Sequence, residues 1–113
     1  MSDAETSKKQ QLLATYLAAT VALVRSEKPD LTDRQKCVLL KVYTDETPQT
    51  VRGLAKYTSV SKPAITRALD RLAEFDLIRR RTDPGDRRSV LVQRTVAGRN
   101  LVRFMMEVLA EAS

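Results

Sequence analysis

Gly53–Thr95, GLAKYTSVSKPAITRALDRLAEFDLIRRRTDPGDRRSVLVQRT, decides how this 113-residue chain is read. At its centre, Ser61 is a good helix N-cap, because its hydroxyl can accept a bond from a free amide one turn on. Lys62 and Pro63 then open a helix, and proline is tolerated in a first turn, where no internal amide bond is lost. Ile65, Ala68, Leu69, Leu72 and Ala73 recur at helical spacing and make one apolar stripe, so one face is buried. The opposite face carries Pro63, Ala64, Arg67, Asp70, Arg71 and Glu74, flanked by Lys62 and Thr66.

Working outward, Val51–Tyr57 has room for about two helical turns, and Thr58, Ser59 and Val60 form a turn. A helix, a three-residue turn and a capped second helix make a helix-turn-helix. Downstream, Leu77–Thr82 and Ser89–Thr95 are rich in Ile, Val, Leu and Thr and predict two strands. Between them, Asp83-Pro84-Gly85-Asp86-Arg87-Arg88 carries turn chemistry, with proline fixing one φ and glycine free to take the other. The hairpin is a basic wing. The small residues, long cations and hydroxyl on the open face of the second helix suit a surface that enters a groove and reads base edges.

SKPAITRALDRL, LIRRRTDPGDRRSVLV and Thr95-Val96-Ala97-Gly98 together resemble the winged helix-turn-helix of the MarR family (multiple-antibiotic-resistance regulators) of bacterial transcription factors, over about Leu31–Gly98. Asp76 stands where that family usually has glycine, Arg94 where it usually has leucine, and the family usually continues through a further C-terminal helix. The resemblance implies sequence-specific double-stranded DNA binding by a homodimer on a pseudo-palindromic operator, with no cofactor. It places Arg87 at the wing tip, in the minor groove, and has Arg88 pair with an aspartate to brace the wing. Family members often bind small aromatic or phenolic effectors; none is identified for this chain. The residues expected at DNA are Ser61, Lys62, Pro63, Ala64, Thr66, Arg67, Arg71, Arg79, Arg81, Arg87 and Arg88. Arg79, Arg80 and Arg81 cannot all face one way, because strand neighbours alternate.

Charge follows the motif. The chain carries a net +6 and a pI near 9.8, which favours an anionic partner. Residues 1–48 balance seven basic against seven acidic side chains, whereas residues 49–103 hold thirteen basic against five acidic. The plainer reading, a solvated basic surface without a partner, leaves this coincidence of motif and charge unexplained. With no histidine and one cysteine, an ordinary transition-metal site and Ser-His or Cys-His catalysis are both disfavoured, and no enzyme is expected. The single cysteine also rules out an intramolecular disulfide and fits a reducing cytoplasm.

The expected architecture is α+β, mainly α: one domain with an N-terminal dimerisation helix over 4–27, a DNA-binding core over 32–95 containing a recognition helix at 62–75 and a wing at 77–95, and a C-terminal helix over 96–112. Met1–Lys9 is polar and expected to fray at its start. Leu12–Val24 is interrupted by Thr15 and Thr20 and is too short to span a bilayer; Asp3 and Glu5 argue against a signal peptide. Its surplus apolar residues predict a second subunit, with Leu12, Leu13, Tyr16, Leu17, Leu101, Met105, Val108 and Leu109 at the seam. Thr32 and Gln35 form a capping box for a helix whose buried face carries Cys37, Val38, Leu39, Leu40, Val42 and Tyr43. Among these apolar neighbours Cys37 reads as an inert buried thiol, with a redox switch as the alternative. Thr50 and Val51 either pair with the wing or cap the next helix. Two other functions stay open: a winged-helix protein-interaction module without base readout, and a membrane-associated basic protein anchored by Leu12–Val24.

Overall fold

The computed structural model describes residues 2–113; Met1 lies outside the described residues. In chain order the elements are α1 (Asp3–Arg25), α2 (Asp33–Thr44), β1 (Gln49–Thr50), α3 (Val51–Thr58), α4 (Lys62–Glu74), β2 (Ile78–Asp83), β3 (Asp86–Arg94) and α5 (Val96–Ala112). The described residues are thus mainly helical with one small sheet, the expected α+β class. They divide into two compact units, residues 31–102 and residues 2–30 with 103–113.

The larger unit is built on α2, α3 and α4. Thr32 and Gln35 cap α2 reciprocally, with bonds of 3.2 and 2.9 Å. Val38, Leu39 and Val42 are the buried side chains of α2, and meet Leu54 of α3 and Ile65, Leu69 and Leu72 of α4 in an aliphatic core. Cys37 departs from expectation: it is exposed. One residue step turns the helix about 100°, so a neighbour of Val38 need not share its face. Ser59 ends α3 in the left-handed region, at φ 56 and ψ 38, and Asp76 adopts φ 57 before β2. Neither is glycine, so the surrounding packing holds both in a sparsely populated conformation.

The sheet is antiparallel in the order β1-β3-β2. Thr50 does both things left open by the sequence. Its backbone pairs with Leu91, and its hydroxyl accepts the Gly53 amide at 3.0 Å to cap α3. In the wing turn Gly85 does not adopt positive φ, so the conformational freedom expected of it is not used there. The turn is held instead by Asp83 and Asp86, whose carboxylates accept the Gly85 and Arg88 amides at 2.9 and 3.0 Å.

The base of the wing meets α2 and α5 at Tyr43. Its hydroxyl donates to the Leu77 carbonyl at 2.7 Å and accepts the Thr95 amide at 2.9 Å. Thr95 in turn donates to the Asp76 carbonyl at 2.6 Å and accepts the Gly98 amide at 3.0 Å, capping α5. Beside it, Arg94 donates to the carbonyls of Val42 and Asp45 at 2.9 and 2.8 Å, satisfying the end of α2. Lys41 donates to Asp45 at 2.8 Å; that bond, aided by the Thr47 amide, holds the Asp45 carboxyl at about 2. A carboxyl depressed in the folded state stabilises it above the ordinary carboxylate range, and that contribution fades as pH falls toward 2.

In the smaller unit Ser2 caps α1 by accepting the Glu5 amide at 3.1 Å, and Asp3 and Glu5 sit in its first turn. The polar start expected to fray is therefore helical from Asp3, with its acids placed where the helix dipole favours them. The terminal helices pack together: Thr15 donates to the Ala112 carbonyl at 3.3 Å, and the Lys28 ammonium lies 5.3 Å from the centre of the Phe104 ring.

Two outcomes follow from this packing. A Cβ at Gly98 would overlap the Tyr43 hydroxyl and the Leu77 carbonyl. Gly98→Ala should therefore cost about 2–3 kcal/mol, read as a fall in melting temperature of roughly 10 °C. Tyr43→Phe in the same chain should recover part of the loss, because the two changes share one space. Cys37, being exposed, should react with a chromogenic disulfide reagent in the native protein without denaturant; a thiol that reacts only after unfolding would return it to the interior.

Candidate nucleic-acid interface

The second helix of the helix-turn-helix, α4, is fixed by its stripe. Ile65, Ala68, Leu69 and Leu72 are buried against α2 and α3, which leaves one long face outward. Ser61 caps it by accepting the Ala64 amide at 3.3 Å, and Pro63 sits in the first turn. Ser61, Lys62, Pro63, Thr66, Arg67 and Arg71 are all exposed. Ala64 is a correction. The sequence places it on the open face, whereas it is only 6% exposed; it lies one position before Ile65, at the margin of the buried stripe, and a methyl group is short enough to be covered there.

The cations on and beside this face are not equivalent. Arg67 makes no ion pair among the described residues. Arg71 is turned back along its own helix, donating to Glu74 at 2.9 Å and stacking 4.5 Å from the centre of the Phe75 ring. Arg67 also lines a groove of about 450 Å³ with Thr32, Asp33, Arg34 and Gln35 from the start of α2. Arg34 is thus an exposed cation beside the outward face of α4 that sequence reasoning missed. Nothing local in the sequence signals it, because its place is set by the packing of α2 on α4.

In the wing the three consecutive arginines separate as pleating requires. Arg80 pairs in register with buried Val92, and Arg79 and Arg81 pair with Gln93 and Leu91. The Arg80 guanidinium donates to Asp70 of α4 at 2.7 Å. Arg79 lies 3.7 Å from Asp76 and is 71% exposed, against 31% for Arg80. Arg81, Arg87 and Arg88 are exposed. The brace expected between Arg88 and an aspartate is absent among the described residues: Arg88 contributes only its backbone amide, to Asp86. Asp83 and Asp86 are occupied by turn amides, and the ion pair that joins the wing to α4 is Arg80–Asp70.

At the expected seam, Leu12, Leu13, Tyr16 and Leu17 are exposed, between 57% and 68%, and Leu109 is 45% exposed. Met105 is half-buried. Leu101 and Val108 are buried within the chain itself, at 4% and 9% exposed. Among the described residues no helix is long and apolar enough to cross a membrane, and no group of three His, Cys, Asp or Glu residues is placed to hold a metal.

Known proteins share this arrangement. The MarR family profile matches residues 30–89. The HTH-type transcriptional repressor NicR of Pseudomonas putida is 34% identical over 85 residues, covering 75% of this chain and 53% of that protein; the chain spans about half the length of this curated relative. Among solved structures, the transcriptional regulator Tm0710 of Thermotoga maritima superposes with a TM-score of 0.77 at 22% identity, over 95% of this chain and 72% of its own. A mutant of S. aureus MepR bound to an oligodeoxyribonucleotide gives a TM-score of 0.77 at 20% identity, over 98% and 78%. MarR itself gives 0.65 at 32% identity, over 73% and 55%. With the helix-turn-helix, the wing and a profile match across more than half its length, this chain belongs to the MarR family of winged-helix transcriptional regulators.

Proposed function

We propose that the chain binds double-stranded DNA in a sequence-specific manner as a cytoplasmic homodimer, and regulates transcription from a pseudo-palindromic operator. The observation that carries this reading is the outward face of α4. Lys62, Thr66 and Arg67 stand exposed on a helix whose other side is locked into the core, beside a wing whose Arg87 and Arg88 are also exposed. A helix so held presents its first turns to the major groove, where each base pair offers a distinct donor and acceptor pattern. The wing arginines then meet phosphate and the narrow minor groove, where negative potential is concentrated. Ser61, Pro63, Arg79 and Arg81 border the same surface. The S. aureus MepR relative solved with an oligodeoxyribonucleotide supports a DNA-binding use of this fold.

The dimer reading rests on the exposed row Leu12, Leu13, Tyr16 and Leu17 of α1, with Met105 and Leu109 of α5. Water contact along such a row is costly, at about 25 cal/mol per Å² of apolar surface. Two copies would place two reading helices about one DNA turn apart, and so match half-sites at that spacing.

Two measurements test the reading. Arg67→Ala should cost about 1–3 kcal/mol on the preferred duplex and relax base preference at one position. Arg87→Ala should weaken operator and scrambled duplex together and lower the salt slope by roughly 1. Equal losses on both duplexes from both variants would leave a helix that does not read sequence. Leu17→Glu should yield monomers in light scattering while the helical circular dichroism persists; an undiminished dimer would move the seam elsewhere.

A further inference from the structure

Arg80 and Asp70 form the tightest ion pair on the proposed DNA-binding surface. It joins the two elements that must enter different grooves. Asp70 lies on α4, two turns beyond Lys62, and Arg80 lies in β2. Their 2.7 Å contact spans ten residues of chain, whereas the other ion pairs of this surface are local, between residues three apart. Asp70 is 53% and Arg80 31% exposed, so the pair adds little to stability. A carboxylate on a surface meant for a polyanion is also unfavourable in itself. Fold stability and charge complementarity therefore leave Asp70 without a purpose, and geometry supplies one.

We propose that Asp70 and Arg80 are positioning residues for operator binding: their ion pair sets the angle between the reading helix and the wing, so that both grooves are engaged at once. The proposal rests on the DNA-binding reading above. The register supports it, because Arg80 pairs with buried Val92, and its side chain is 31% exposed against 71% for Arg79. Binding both grooves draws on one rigid body. A wing free to swing must be ordered at the moment of binding, and that ordering subtracts from affinity for the site that uses both contacts.

Neutralising Asp70 separates this from simple electrostatics, since the two ideas differ in sign. Asp70→Asn removes a negative charge from the surface facing DNA and leaves Arg80 in place. If Asp70 only repels phosphate, or Arg80 is only a phosphate contact held back by it, the variant binds both operator and scrambled duplex more tightly. If the pair positions the wing, operator affinity falls by about two- to fivefold while scrambled binding holds or rises. Arg80→Gln should lower operator affinity at least as much, and the double variant should be no weaker than Arg80→Gln alone, because one interaction is being removed twice. Additive effects of opposite sign would overturn the proposal. So would loss of folding in Asp70→Asn, judged by thermal melting, since the pair would then be a structural support. Failure of the wild-type chain to bind any duplex would instead overturn the functional reading beneath it.

Discussion

The Tyr43 hydroxyl is the point on which the larger unit depends. It stands at the end of α2 and bonds at once to Leu77, which leads into the wing, and to Thr95, which starts α5. No residue with a side chain fits at Gly98 without displacing it. Thr95 adds a second link by bonding the Asp76 carbonyl. The end of α4, the base of the wing and the beginning of the last helix are thus tied to α2 through two side-chain hydroxyls. Buried polar groups are costly when unpaired and specifying when satisfied. Here every partner is supplied, and no buried side-chain nitrogen or oxygen among the described residues lacks one.

That junction frees the surface from structural duty and sorts its charges. Arg94 is held by the last carbonyls of α2, Arg71 by Glu74 and Phe75, Arg80 by Asp70, and Lys41 by Asp45 and the Tyr57 ring. Among the described residues, Lys62, Arg67, Arg81, Arg87 and Arg88 are left without acidic partners. A count of basic residues therefore overstates how many are ready for phosphate. On α4 and the wing, the cations available to a polyanion are those the fold has not already paired.

Much of this was legible in the sequence because it is local. Caps, turn residues and apolar spacing act within a few positions, so the helix at Lys62, the capping box at Thr32 and the two wing strands could be read directly. Asp76 stands where the resembling family usually has glycine, and it adopts φ 57, a region its side chain is among the few to tolerate. The misplaced residues sit where local pattern is ambiguous or partners are distant. Cys37 and Ala64 lie at the margin of a buried stripe, where one helical step decides exposure. Leu101 and Val108 belong to a helix apolar over a wide arc, and spacing alone does not say which part the chain itself covers. Arg94, standing where the resembling family has leucine, finds its acceptors about fifty residues away, and Asp70 finds Arg80 across a turn and a strand. Such pairs appear only when the chain is folded.

The order of the sheet gives the wing arginines a second consequence, unrelated to DNA. With β3 in the middle, the sheet has two open margins: β1, only two residues long, and β2, which carries Arg79, Arg80 and Arg81 in succession. An open margin is a row of unpaired amides and carbonyls onto which another chain can add a strand. Against β1 an intruder finds too few bonds to hold it. Against β2 it meets a strand rich in arginine, of which Arg81 has no acidic partner among the described residues, and a second copy of the same margin would carry the same side chains. Like charge along an edge strand is one of the ways a sheet is kept from pairing with a second copy of itself.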